Sequence, residues 1–154
     1  MAPQLPVNDV MLILERDKAV CLAERRGTGY ADGMLNLPSG KLERGEDVFD
    51  AVMREGREEV GITVTRESLQ LVHAMHFRNP EGESRIGWFF AARHWDGEPR
   101  NMEPHKCAGL EWHPIDQLPP HTVRYNALGL LHYAKGETFS SHWHDWQDEL
   151  TQSL

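Results

Sequence analysis

Residues 40–62 read GKLERGEDVFDAVMREGREEVGI, and Glu55, Glu58 and Glu59 fall within little more than one turn of a predicted helix there. Side chains at i, i+3 and i+4 share one helix face, so the three carboxylates point into the same volume. Each like-charged pair at this spacing destabilises a helix by about 0.2–0.5 kcal/mol. A divalent cation among the oxygens would offset that repulsion, and carboxylate oxygens suit Mg²⁺ or Mn²⁺. A solvated acidic helix face is the alternative interpretation.

The frame around these glutamates resembles the Nudix box of the Nudix hydrolases. All specified positions but one match, namely Gly40, Glu46, Arg54, Glu55, Glu58, Glu59, Gly61 and Ile62. The departure is Gly56, where the family usually places a bulky aliphatic residue. A glycine inside a helix is about 1 kcal/mol worse than alanine, and we expect Gly56 also to remove a core contact. Because Gly56 carries no ligand atoms, it affects helix rigidity and leaves the metal-site hypothesis intact.

The order of predicted elements indicates an α/β protein. Apolar runs at residues 10–14 and 19–23 predict a hairpin. A helix is predicted at about residues 47–60, with Asp47 as its N-cap and Gly61 at its end. The other predicted elements are a loop at 26–33, strands at 35–38, 69–78, 86–94 and 109–113, a turn at 116–120 and a helix at about 122–135.

The resemblance implies the architecture more firmly than the periodicity does. Nudix domains are α/β/α sandwiches with a mixed sheet, and the box forms a loop–helix–loop beside that sheet. The chain has 154 residues, which is a usual size for one domain. We therefore expect residues 1–154 to form a single Nudix hydrolase domain.

The resemblance also implies roles for the box residues. Glu58 and Glu59 are the expected direct metal ligands, and Glu55 is either a further ligand or the base that deprotonates water. Arg54 is expected to hold Glu55 in place through a charged hydrogen bond. The candidate catalytic residues are thus Arg54, Glu55 and Glu58, and the candidate structural residues of the motif are Gly40, Glu46 and Gly61.

Two further metal contacts are expected outside this set. In MutT-like enzymes the carbonyl oxygen one residue before the first box glycine touches the metal, and here it belongs to Ser39. Because a backbone oxygen is the ligand, the requirement falls on backbone conformation, which glycine would reach more easily than serine. Glu103 aligns roughly with a later glutamate that completes the site in some relatives. An exposed loop glutamate is the alternative for Glu103.

Two basic residues are candidates for phosphate binding. Arg26 lies at the end of the second predicted strand, where a MutT relative places a phosphate-contacting arginine, and Arg25 is the alternative if the register differs by one. A guanidinium suits phosphate through bidentate contacts. Lys41 is the second candidate, and a charged partner for Glu43 or Glu46 is its alternative role.

Composition limits the class of protein. The formal net charge of −8 argues against non-specific nucleic-acid binding, although a metal-loaded site can still attract the phosphates of a small nucleotide. Cys21 and Cys107 form neither a disulfide framework nor a zinc-site spacing. The first residues lack a signal-peptide pattern, and no apolar run is long enough to span a membrane. These features predict a cytoplasmic protein without a membrane partner.

The resemblance implies a Mg²⁺-dependent pyrophosphohydrolase that converts a nucleoside triphosphate to the monophosphate and pyrophosphate. Such hydrolysis requires an activated water and neutralised phosphate charge, which metal-bound carboxylates can supply. Residues 97–107 read GEPRNMEPHKC and resemble the MutT-type diphosphatases acting on oxidised-guanine and thiopurine nucleotides. Nucleotide sugars or ADP-ribose are alternative substrates, and a non-catalytic Nudix-fold nucleotide-binding module is the alternative outside the enzyme class.

The C-terminal part is rich in histidine and tryptophan, and residues 141–146 read SHWHDW. Histidines at i and i+2 lie on opposite sides of a helix, which disfavours a shared metal there. The tryptophans predict a tail packed on the body of the protein or on a second subunit, so a homodimer stays open. His73 and His76 are expected to be structural or surface residues.

Overall fold

A computed structural model describes residues 1–143, which form one mixed eight-stranded sheet with a helix on each face. The strands are β1 Val7–Arg16, β2 Ala19–Arg25, β3 Leu35–Asn36, β4 Ser39–Lys41, β5 Gln70–Arg78, β6 Ser84–Ala92, β7 Cys107–Pro114 and β8 Phe139–His142, and the helices are α1 Val48–Val60 and α2 Arg124–Ala134. The order is β3-β2-β1-β6-β5-β8, with β4 paired to β1 and β7 paired to β2. Because β1–β6 and β5–β8 are parallel and the other pairs antiparallel, the predicted mixed α/β sheet is confirmed. Within residues 1–143, neither helix is long and apolar enough to cross a lipid bilayer.

Strand β1 lies in the middle of the sheet and contributes to a core on each face. Val10, Leu12 and Leu14 pack on the side of α1. Met11 and Ile13 pack on the side of α2. A strand buried on both faces has a continuous apolar sequence, which explains why residues 10–14 show no alternation. The predicted hairpin of β1 and β2 is confirmed.

Helix α1 begins and ends where the sequence predicts. The Asp47 carboxylate accepts a hydrogen bond from the Asp50 amide at 2.8 Å, and the Asp50 carboxylate accepts one from the Asp47 amide at 3.2 Å. This reciprocal capping box satisfies two amides at the helix start. Gly61 ends the helix in the left-handed conformation, with φ 68° and ψ 26°, which glycine adopts without strain. The box helix is therefore fixed at both ends.

Gly56 is buried on the face of α1 that packs against the sheet. A methyl group at this position would lie 3.3 Å from Leu12 Cδ2 and 3.7 Å from Ile62 Cγ1. The expectation that Gly56 removes a core contact is therefore wrong, because neighbouring side chains already fill the space that a larger residue would take. The small residue instead allows α1 to approach β1 closely.

Two short strands, β4 and β8, have no counterpart in the sequence prediction. Ser39 begins β4, which pairs antiparallel with β1. Its backbone is extended, and it is not among the described residues with positive φ. The expected advantage of glycine over serine at this position is therefore wrong, since any residue adopts this conformation.

The described end of the chain packs on the body of the protein. Trp143 lies beside β5, with its ring centroid 4.9 Å from that of His76. His73 is buried, and its ring nitrogens lie 2.7 Å from the Glu137 carbonyl oxygen and 2.8 Å from Ser140 Oγ. The predicted structural role of His73 is thus confirmed. Residues 144–154, which complete the predicted tail, lie outside the described part of the chain.

We expect Gly129→Ala to destabilise the protein by about 1–3 kcal/mol, the usual cost of overpacking a core. Gly129 lies in α2 against the Phe89 ring, and a Cβ atom would overlap that ring. The clash should outweigh the gain of about 1 kcal/mol in helix propensity. Urea denaturation measures the difference. Gly109→Ala is the matched control, because a Cβ atom there meets nothing within 4 Å; equal stability of both variants would contradict the packing argument.

Candidate functional site

The box residues meet on the wall of a cavity of about 680 Å³. Strand β4 contributes Ser39, Gly40 and Lys41, helix α1 contributes Glu55, Glu58 and Glu59, and the loop before β7 contributes Glu103. The structure thus brings together the residues that were predicted as metal ligands. Their function as ligands stays a prediction. We refer to this space as the carboxylate cavity.

Arg54 pairs with acidic side chains from both the box loop and α1. Its Nε and Nη2 donate to the two oxygens of Glu46 at 2.6 and 3.0 Å, and its Nη1 donates to Glu55 Oε1 at 2.6 Å. A longer contact of 3.3 Å reaches Glu58. The expected hydrogen bond between Arg54 and Glu55 is present, and the bidentate contact with Glu46 fixes the plane of the guanidinium.

Gly40 leaves the space that the Glu55 carboxylate occupies. A Cβ atom built on Gly40 would overlap the carboxylate carbon and an oxygen of Glu55. The φ of Gly40 is not positive, so the position requires a small residue rather than a special backbone conformation. This close approach gives a physical reason for the first glycine of the box.

Glu55 is buried and Glu59 is half-buried, and their carboxyl groups lie close to one another. Burial raises the pKa of Glu55, whose residue is 8% exposed. Burial, and next the neighbouring Glu55, raise the pKa of Glu59 well above its usual range. Glu59 Oε2 accepts a hydrogen bond from the Ser39 amide at 2.9 Å, which links α1 to β4 and opposes part of that shift. Both shifts show that this environment disfavours the ionised carboxylates in the absence of a cation.

The donor set of the carboxylate cavity suits a hard divalent cation. The carboxylates of Glu55, Glu58, Glu59 and Glu103 line it together with Ser39, whose carbonyl is the predicted ligand, and Mg²⁺ and Mn²⁺ prefer oxygen ligands. Within residues 1–143, no three acidic, histidine or cysteine side chains already stand in a metal-binding arrangement. Arg54 contributes to this, because it holds oxygens of Glu55 and Glu58 toward itself. A cation would therefore compete with the guanidinium for these oxygens.

Lys41 lies on the wall of the carboxylate cavity. Arg54 takes the place beside Glu43 and Glu46, with ion-pair distances of 3.6 and 2.6 Å. Among residues 1–143, the Lys41 ammonium has no acidic partner within ion-pair distance. Its alternative role as a partner of these glutamates is therefore not realised, and the charge remains available to an anion in the cavity.

The two candidate arginines occupy different positions. Strand β2 ends at Arg25, which lines the carboxylate cavity and donates from Nε to the Tyr30 carbonyl at 2.7 Å. Arg26 does not line the cavity, and its Nη1 contacts the Pro104 carbonyl at 3.4 Å. The shift of one residue in strand register thus brings Arg25, the alternative candidate, to the cavity wall and leaves Arg26 outside.

A second cavity of about 410 Å³ adjoins the first, and we call it the inner cavity. The two share Arg25, Asn36, Ser39, Gly40 and Lys41. The inner cavity is further lined by the apolar or aromatic Met11, Tyr30, Phe77, Val123 and Tyr125 and by the polar Asp9, Asn79, Glu81, Arg85 and Asn126. The sequence prediction missed these polar residues. In the sequence, Asp9 could have been noticed as a charged residue directly before the apolar run of β1. Its partner Arg85 could not have been identified, because it lies 76 residues further along the chain.

Comparisons with known proteins agree on one family. The NUDIX domain matches residues 5–133. The 8-oxo-dGTP diphosphatase of Escherichia coli is 30% identical over 113 residues, which cover 72% of this chain and 85% of that protein. A human 8-oxo-dGDP phosphatase is 28% identical over 136 residues, which cover 87% of this chain but only 37% of that protein. The crystal structure of a MutT NUDIX hydrolase from Burkholderia pseudomallei superposes with a TM-score of 0.75 and 29% identity, covering 83% of this chain and 98% of that chain.

We expect Glu59→Gln to raise the melting temperature of the metal-free protein at pH 8. Because the folded state raises the pKa of Glu59, it binds this proton more tightly than the unfolded chain, and Glu59 lowers stability as pH rises above its unfolded pKa. Glutamine removes the charge and retains an oxygen for the Ser39 amide. The gain should vanish below about pH 3, where the carboxyl is protonated in both states. Thermal unfolding scans in excess chelator measure this gain in melting temperature. The exposed Glu67→Gln is the matched control. A gain that does not depend on pH would contradict the raised pKa of Glu59.

Proposed function

The chain belongs to the NUDIX family and is a Nudix hydrolase, and we propose that it cleaves a nucleoside triphosphate to the monophosphate and pyrophosphate with Mg²⁺ as cofactor. The observation that carries this proposal is the pair of adjoining cavities, one lined by carboxylates and the other by aromatic and polar side chains. The shared wall contains Arg25 and Lys41, two cations suited to phosphates. A nucleotide whose base enters the inner cavity would therefore extend its phosphates toward the glutamates.

One of the relatives, the E. coli enzyme, supports a triphosphate substrate. The similarity to the E. coli 8-oxo-dGTP diphosphatase extends over most of that protein, so it includes the chain outside the box, on which substrate choice depends. The whole of residues 1–154 would form a single Nudix domain, a proposal supported by the one sheet that joins β1 to β8. The free thiols Cys21 and Cys107 support a reducing, cytoplasmic location.

Each acidic residue has a proposed task at the reacting phosphates. Glu55, Glu58, Glu59, Glu103 and the carbonyl of Ser39 would hold the cation, and the bound cation would activate water and neutralise phosphate charge. Arg54 would position Glu55 and, through Glu46, keep the box loop against α1. As the alternative to holding the cation, Glu55 would accept a proton from water, and burial raises its pKa, which makes it a stronger proton acceptor.

A substrate panel tests the reaction. The purified protein is incubated with Mg²⁺ and ordinary or oxidised nucleoside triphosphates, nucleotide sugars or ADP-ribose, and the products are separated by ion-exchange chromatography. We expect the monophosphate and pyrophosphate from at least one triphosphate. Glu58→Gln should lower kcat by at least about 100-fold, the scale of losing one charge-stabilising group, with an unchanged circular dichroism spectrum. Cleavage confined to sugar-linked compounds, or full activity of Glu58→Gln, would overturn the proposal.

We expect Gly40→Ala to lower kcat strongly, by at least about tenfold, because the new methyl group displaces the Glu55 carboxylate and small misplacements of catalytic groups are costly. Steady-state kinetics with the triphosphate found above measure the loss. Gly109→Ala, which adds the same methyl group in open space on β7, is the matched control. Full activity of Gly40→Ala would show that catalysis does not depend on the observed position of the Glu55 carboxylate.

A further inference from the structure

The loop at residues 26–33 reads RGTGYADG, joins β2 to β3 and contributes to the walls of both cavities. Thr28 lines the carboxylate cavity, and Tyr30 lines the inner cavity. At the base of the loop, the Gly33 amide donates to the Arg25 carbonyl at 2.7 Å. The loop therefore starts and closes at the arginine that lies on the wall shared by the two cavities.

Asp32 holds the tip of this loop through three hydrogen bonds. Its Oδ1 accepts from the Thr28 amide at 3.0 Å and from the Thr28 hydroxyl at 2.6 Å, and its Oδ2 accepts from the Gly29 amide at 3.0 Å. These hydrogen bonds, first that from the Thr28 hydroxyl, lower the pKa of Asp32 below its usual value. Ala31 has a φ of 51°, which is disfavoured for a residue with a side chain. Such a conformation persists only where the surrounding contacts hold it.

The same part of the loop orients the side chain of Arg25. The Nε of Arg25 donates to the Tyr30 carbonyl at 2.7 Å, and its Nη2 donates to the Thr28 hydroxyl at 3.0 Å. In the amide orientation that gives both of its polar atoms a partner, Asn36 accepts from Arg25 Nη1 at 2.9 Å. The guanidinium carbon lies 5.2 Å from the centroid of the Tyr30 ring. An arginine has five N–H groups, so two remain for an anion in the cavities.

The Thr28 hydroxyl connects Asp32 with Arg25. A hydroxyl has one proton and two lone pairs, and here the proton points to Asp32 while a lone pair accepts from Arg25. Without the carboxylate, the nearest remaining acceptor of that proton is the Tyr30 carbonyl at 2.9 Å, which Arg25 Nε already uses. The Thr28 and Gly29 amides would also lose their partner. Removing Asp32 therefore releases the backbone that supplies both loop acceptors of Arg25.

We propose that Asp32 is a positioning residue for substrate binding, and that it holds residues 28–30 so that the Arg25 guanidinium faces the phosphates of the triphosphate. This inference rests on the proposed triphosphate hydrolysis and adds a residue that itself lines neither cavity. Arg25 would bind the phosphates equally in the ground state and in the transition state. Loss of its orientation should therefore raise KM and leave kcat nearly unchanged.

Steady-state kinetics of Asp32→Ala test the inference with the triphosphate that the substrate panel identifies. We expect KM to rise by at least about tenfold, because small misplacements of positioning groups are costly, and kcat to change by less than about twofold. Asp32→Asn keeps an oxygen for Thr28 but turns an N–H group toward the Gly29 amide, so its KM should lie between those of the wild type and Asp32→Ala. Asp116→Ala should keep the wild-type KM and is the matched control, because Asp116 is exposed and lies outside both cavities.

A double variant separates positioning of Arg25 from a general effect on the fold. Arg25→Met removes the guanidinium, so adding Asp32→Ala to it should raise KM by less than about twofold, since residues that act through one another are not additive. An unchanged KM in Asp32→Ala would overturn the inference, even if its melting temperature falls. The same rise in KM with and without Arg25 would also overturn it.

If no compound in the panel is hydrolysed, the proposed function fails instead. Titration calorimetry with inorganic tripolyphosphate and Mg²⁺ then tests the positioning of Arg25 separately. Weaker binding by Asp32→Ala than by the wild type, with no difference between Arg25→Met and the double variant, would support the inference. Equal affinities of the wild type and Asp32→Ala, including no binding by either, would overturn it.

Discussion

The candidate site depends on one guanidinium among carboxylates. Arg54 binds Glu46 in a bidentate contact and Glu55 through a third N–H, so a single side chain connects the loop before α1 with the helix itself. Hydrogen bonding to Glu46 is the main cause that raises the pKa of Arg54, and its positive charge is never lost. A lysine has no planar fork and could not satisfy both partners in this geometry. Among residues 1–143, Glu59 has no cationic partner within ion-pair distance, and a bound divalent metal would provide one.

Strand β1 joins the two cavities. Asp9 of β1 lies opposite Lys41 of β4 on one side and opposite Gly87 of β6 on the other. Neighbouring strands are about 4.8 Å apart, so the Asp9–Arg85 cluster lies beside the strand that carries Ser39 and Gly40. The spacing between the two sites is therefore fixed by backbone hydrogen bonds of the sheet and does not depend on flexible loops.

The sequence predicted the elements whose signals are local. Helix α1 could be predicted almost to the residue, because all its signals lie within one short segment. These signals are the N-cap Asp47, the glutamate spacing and the terminal Gly61. Strands β4 and β8 are too short for a period, and both form because longer strands pair with them. Arg25 and Arg26 differ by one step in register, which exchanges the faces of a strand. Asp9 and Arg85 are 76 residues apart in the sequence, so no local sequence pattern could predict that they form a pair.

The two cavities differ in electrostatic character, and this difference would allow the proposed substrate to bind in one direction only. In the inner cavity, Arg85 and Asp9 neutralise each other and present hydrogen-bond donors beside aromatic rings. In the carboxylate cavity, burial raises the pKa values of Glu55 and Glu59, so their ionised forms need a compensating cation that a bound metal would supply. Reversed binding would put phosphates against a paired, partly buried arginine and a base against uncompensated carboxylates. Both placements would be unfavourable, because the phosphates would lie away from the metal and the base would gain no partner among the carboxylates. The acidic cluster would thus exclude the wrong orientation as well as recruit the metal for the right one.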